Sequence, residues 1–147
     1  MNKEYNIIIE IFHWKNILKI RNFLIGIDNK TKYIGYVQQV EDVNMPVFFI
    51  NLKYAKTQTV IDVISAIFHE LGHIKYKTYL WKPIKANKYR SEYLAETFAL
   101  KQLKKYFPIQ YTQHVKSWKK TLADKNWQRR FSLHYEVFSR IKEYKEE

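Results

Sequence analysis

His69, Glu70 and His73 stand in H-E-x-x-H order at the centre of the run VIDVISAIFHELGHIKYK. On an α-helix, positions i and i+4 share a face one turn apart, so both imidazoles reach a single metal ion. Glu70 then projects beside the metal, placed to take a proton from an activated water. The flanks agree with a helix: Val60, Val63, Ile64, Ile67, Phe68 and Leu71 form a broad apolar stripe facing a core. Two histidines and a carboxylate inside a buried helix are costly unless paired or ligated. The donor types and spacing therefore predict a Zn²⁺ site, with His69 and His73 as ligands and Glu70 as the catalytic base.

A catalytic zinc site takes three protein ligands and keeps one position open. The histidine that follows a glycine in metzincins is excluded, because Tyr76 and Tyr79 occupy those places. The other class of such sites takes a glutamate from the following helix, and SEYLAETFAL supplies Glu92 and Glu96. Positions 74–91 are enough for a turn and a helix that doubles back. Glu92 and Glu96 are also i and i+4, so they share a face. One of them would bind the metal while the other accepts a hydrogen bond from a ligand histidine and fixes its tautomer. Glu92 is the first choice as ligand and Glu96 as the supporting carboxylate.

The elements around this helix are predicted as follows. Residues 5–12 alternate Tyr5, Ile7, Ile9 and Ile11 on one face and read as a strand, with an N-terminal helix as the alternative. Residues 20–27 and 33–40 read as strands joined by Asp28, Asn29, Lys30 and Thr31 into a hairpin. A short apolar strand follows at residues 47–52, completing an antiparallel sheet. Thr57 or Thr59 caps the metal helix, which is expected to reach residue 77. A loop containing Pro83 leads to a second helix over residues 88–106, ended by Pro108. Two further helices are expected at 110–122 and 127–144.

HELGH followed by Glu92, Ala95, Glu96, Phe98 and Ala99 resembles the ImmA/IrrE metallopeptidases, a small gluzincin-type family. The family pattern continues after H-E-x-x-H as E-x-E-A-N/D-x-F-A. Glu92 falls on its first glutamate, Leu94 stands where a second is usual, and Glu96 stands where Asn or Asp is usual. The resemblance covers roughly residues 47–103 and leaves the last forty or so without support. It implies an α+β fold, a small antiparallel sheet of about three to four strands packed on a helical metallopeptidase core with additional C-terminal helices. It also implies a hydrolase that cleaves a protein substrate, such as a DNA-binding repressor from a phage or mobile element. Two rivals are a SprT-like protease acting on DNA-associated proteins, which would use a third histidine, and a non-catalytic zinc-containing binding module.

Composition sets the outer limits. A chain of 147 residues, 46% apolar and with few Gly and Pro, is expected to form one metallopeptidase domain over 1–147. The absence of cysteine removes disulfides and thiolate ligands and suits the cytoplasm. The N-terminus lacks the pattern of a secretory signal, and no apolar run approaches a membrane span, so no membrane association is expected. A net charge of +12 fits weak non-specific nucleic acid contact, an acidic protein or membrane surface, and equally a solvated lysine-rich surface. His13, His114 and His134 lie far from the motif and read as surface or core residues. His134 or Tyr135, and equally Tyr89, Tyr93 or Tyr111, could donate to a developing oxyanion. Trp118, Trp127 and Phe131 interleave with Lys119, Lys120, Arg129 and Arg130, a pattern that fits core packing with snorkelling cations better than a nucleic-acid surface.

Overall fold

The computed structural model describes residues 6–145. The chain opens with helix α1 (Ile7–Ile17), where a strand was expected for the segment beginning at Tyr5; Tyr5 itself lies outside the described residues. Tertiary packing decides the matter. Ile7, Ile11 and Trp14 recur at helical spacing and are buried, while Ile9 on the supposed inner face of a strand is 66% exposed. Asn6 secures the start by accepting hydrogen bonds from the backbone of Ile8 and Ile9.

Three strands follow: β1 (Leu24–Ile27), β2 (Gly35–Gln38) and β3 (Val47–Ile50). Their order in the sheet is β1-β3-β2. The expected β1–β2 hairpin does not form, because β3 lies between them, parallel to β1 and antiparallel to β2. The sheet is therefore mixed, and its order follows from burial. Val47, Phe48 and Ile50 of β3 are buried and belong in the middle, whereas Leu24 and Ile27 of β1 are exposed at an edge. Asp28, read as a hairpin turn residue, instead accepts hydrogen bonds from the Lys30 backbone and from the Tyr36 hydroxyl within a wider loop.

A short helix α2 (Leu52–Ala55) leads to α3 (Val60–Lys75), which carries the H-E-x-x-H run. Thr59 caps α3 through the Asp62 backbone. Its face built on Val63, Ile64, Ile67, Phe68, Leu71 and Ile74 is buried. After a 3₁₀ turn (Thr78–Leu80) the chain returns in α4 (Lys85–Tyr106), which begins a turn earlier than expected. The two helices cross closely at Gly72: a Cβ there would stand 3.1 Å from both the Ala95 Cα and the Phe98 ring. Glycine eases this approach, since a larger residue would have to push α4 back, and the approach brings the Glu92–Glu96 face onto the histidines.

Pro108 starts α5 (Pro108–Leu122) as well as bounding α4, a role its missing N–H allows at the first helical position. The single helix expected over 127–144 is three: α6 (Lys125–Arg130), α7 (Ser132–Phe138) and α8 (Lys142–Lys145). The first break falls at Phe131, whose backbone leaves the helical region with φ −123° and ψ 52°. The breaks let Val137, Phe138, Ile141 and Tyr144 close a second apolar cluster with Leu100 of α4 and Leu122 of α5. The first cluster joins α1, β3 and α3 with Phe98, Ala99 and Leu103 of α4, so α4 serves both. The architecture is α+β: a three-stranded sheet packed on a helical core that includes α3, with further helices C-terminal to that core. Among the described residues no helix is long and apolar enough to cross a membrane.

Candidate metal centre

The α3–α4 crossing brings His69, His73 and Glu92 together. One ligand atom from each lies within 4.8 Å of the other two, and among the described residues this is the one such group. His69 Nε2 stands 2.8 Å from Glu92 Oε2, and His73 Nε2 stands 3.2 Å from Glu92 Oε1. Both imidazoles are buried and Glu92 is partly so.

The other nitrogen of each ring is held from behind. His69 Nδ1–H donates to Glu96 Oε1 at 2.8 Å, and Glu96 is itself buried. The hydroxyls of Thr78 and Ser91 lie 2.7 and 3.0 Å from His73 Nδ1. With each Nδ1 engaged from behind, each Nε2 is the ring atom turned toward Glu92 and left to bind a metal ion. Two imidazole nitrogens and one carboxylate oxygen, with no thiolate, match the donor set of an open Zn²⁺ site. The residues therefore form a candidate H-E-x-x-H-type zinc site that fits the ion.

Charge arrangement supports this. Burial disfavours ionised Glu92, yet His73 and His69 outweigh it and hold its carboxyl well below the usual carboxylate range. Burial likewise opposes a charged His69, but Glu92 and Glu96 drive its pKa well above the ordinary histidine value. Glu92 is thereby held as the carboxylate, the form that binds a metal ion. Glu70 differs. Burial pushes its carboxyl up, against the opposing pull of His69 and His73. It lines both cavities that adjoin the cluster, of about 320 and 210 Å³. A carboxylate with raised proton affinity that faces open space is suited to proton transfer.

Sequence reasoning did not anticipate Tyr144 or Tyr33 at the site, and it named His134 only as one of several candidate oxyanion donors. Tyr144, on the last short helix, donates a hydrogen bond to Glu96 Oε2, and burial together with Glu96 raises its pKa well above the ordinary tyrosine value. His134, read as lying apart from the site, places Nε2 3.4 Å from Glu92 Oε2. It lies outside the three-residue ligand set but lines both cavities, as does Tyr33. The breaks after α6 and α7 turn His134 and Tyr144 inward, and neither break has a Gly or Pro to announce it. Of the remaining candidates, His114 is buried beside Ser65 within the larger cavity, and His13 packs on Trp14 of α1. Trp118 and Trp127 pack on each other in the C-terminal cluster, as core packing predicts.

Tyr144 shares no metal contact, so its effect must pass through Glu96. Tyr144→Phe is expected to keep the fold and weaken zinc affinity by about tenfold, the lower end for a group that orients a ligand histidine. Competitive zinc titration alongside a thermal melt checks this. Unchanged affinity with an unchanged melt would remove Tyr144 from the site.

No family model, curated protein or solved structure matches this chain.

Proposed function

We propose that this chain is a zinc-dependent peptidase of the ImmA/IrrE kind, in which His69, His73 and Glu92 hold the metal and Glu70 moves the proton. The observation that carries this reading is the convergence of a three-ligand set with a buried, unligated glutamate facing the same cavities. Zn²⁺ held there would polarise a peptide carbonyl and lower the pKa of water. Glu70 accepts the proton of the attacking water and delivers it to the nitrogen of the breaking C–N bond, so that the leaving group departs as a neutral amine. Glu96 and Tyr144 keep His69 in register, while Thr78 and Ser91 do the same for His73. Tyr33 and His134, which line both cavities, would donate hydrogen bonds to the carbonyl oxygen as it gains charge. Burial and the charges of Glu92 and Glu70 raise the Tyr33 pKa, which keeps its phenol protonated for that work.

Three ligands and an adjoining pair of cavities favour a catalytic site over a closed structural one. A SprT-like assignment would need a third histidine at the metal, whereas the third member of this cluster is Glu92. The substrate we propose is a DNA-binding regulator acted on in the cytoplasm. The family resemblance supports this, as does the net charge of +12, which would hold the chain near nucleic acid. A proteome-derived peptide mixture tests the hydrolytic part directly. New peptide termini are expected with the zinc-loaded chain and not after chelation. Equal cleavage after chelation would refute zinc dependence, and no cleavage of peptides or of intact regulators would refute the peptidase assignment.

A further inference from the structure

The larger cavity runs along one face of α3 from Glu70 to Asp62, passing Ala66 and Ser65. Eight helical rises of about 1.5 Å make this face roughly 12 Å long. The end at Glu70 belongs to the metal centre. The far end is polar: Ser65 Oγ and His114 Nε2 share a 3.0 Å hydrogen bond, and His114 Nδ1 lies 3.7 Å from Asp62 Oδ1. Between the two ends, Trp118, Trp127, Phe131 and Phe138 contribute aromatic wall.

Asp62, His114 and Ser65 have the connectivity of a nucleophilic triad, but the surroundings do not serve that chemistry. Ser65 lies inside α3, where the backbone N–H groups are spent on helix bonds and none is left for an oxyanion. The Asp62–His114 separation is that of a loose ion pair and too long for a hydrogen bond. The group instead fixes an acid at the end of an aromatic channel. The contact with His114, against the opposing effect of burial, holds the Asp62 carboxyl below its ordinary value, so it stays anionic at neutral pH.

We infer that this cavity is a side-chain subsite for arginine, filled by the substrate residue next to the bond cleaved at the metal centre. The inference rests on the peptidase reading above. Three observations carry it. Asp62 stands at the far end of the cavity from Glu70, so only the longest side chains approach the acid. Aromatic walls attract a guanidinium by cation–π contact and stacking, and Asp62 supplies the anion that a partly buried cation requires. The lining is also short of fixed positive charge for a protein of net +12: Lys32 is its one lysine or arginine, beside the histidines His69, His114 and His134. Lys32 sits at the exposed rim with its ammonium 4.9 Å from the Phe131 ring centroid, so this wall already accommodates a cation.

The test is a binding comparison on the zinc-loaded chain. N-acetyl-arginine methylamide, its uncharged citrulline counterpart and the phenylalanine counterpart are titrated separately, with Trp118 and Trp127 fluorescence and amide NMR shifts as readouts. The arginine compound is expected to bind at least tenfold tighter than citrulline, and Asp62→Asn is expected to remove that preference while leaving the thermal melt in place. Citrulline binding as tightly as arginine, phenylalanine binding tighter than either, or a preference that survives Asp62→Asn would each overturn the assignment. Binding needs no hydrolysis. An arginine preference in a chain that cleaves nothing would defeat the peptidase reading and keep the subsite, and cleavage with no preference for a basic residue would do the reverse.

Discussion

Glu70→Gln should bind zinc as the unaltered chain does and lose about three orders of magnitude in hydrolysis, within the range of about 10²–10⁴ typical of general acid–base catalysis. The substitution keeps the volume and hydrogen-bonding shape of the side chain but removes its capacity to hold a proton. Glu70 lies outside the three-residue ligand set, so metal stoichiometry has no reason to change. The wild-type carboxyl is poised for this work, because burial raises its proton affinity while His69 and His73 keep the rise in check. Fold loss is not expected, since an amide is easier to bury than a carboxylate. Cleavage rates on a peptide identified from the wild-type digest, measured beside zinc content, decide the matter. Near-normal turnover in the variant would end the proposed role of Glu70.

Glu92→Ala should have the second large effect, on the metal itself. Glu92 offers one carboxylate oxygen toward each histidine Nε2, so its removal deletes a ligand and the anion that balances the cation. Zinc affinity is expected to fall by more than the roughly 100-fold upper end for a group that only orients a ligand. Glu96→Ala, acting through the His69 Nδ1 hydrogen bond, should stay within about 10- to 100-fold. The two variants separate the roles of carboxylates one helical turn apart. A larger loss from Glu96→Ala would mean that the ligand has been assigned to the wrong turn of α4.

The parts of this arrangement that local periodicity controls were legible in the sequence. The i, i+4 pairing of His69 with His73 and of Glu92 with Glu96 needs only two helices, and the apolar stripe of α3 names the first of them. The meeting of the two faces depends on a tertiary detail, the close crossing at Gly72, that spacing alone does not encode. Residues 7–17 misled because isoleucines favour a strand locally while Ile7, Ile11 and Trp14 pack as a helix against the core. Strand order depended on which strand is buried on both faces, and the turn residues after β1 pointed instead to a hairpin. Tyr144 was out of reach, and His134 could not be singled out among the candidate oxyanion donors, for a different reason. They arrive through chain breaks in an aromatic-rich segment where neither glycine nor proline marks a boundary, so helical periodicity was read straight through them.

The most direct test of the central claim is anomalous diffraction at the zinc edge from crystals of the zinc-loaded chain. The account predicts one zinc per chain, with His69 Nε2, His73 Nε2 and a Glu92 oxygen as its protein ligands and a further position left to solvent. A zinc placed elsewhere, or one closed off by His134 as a fourth protein ligand, would contradict it.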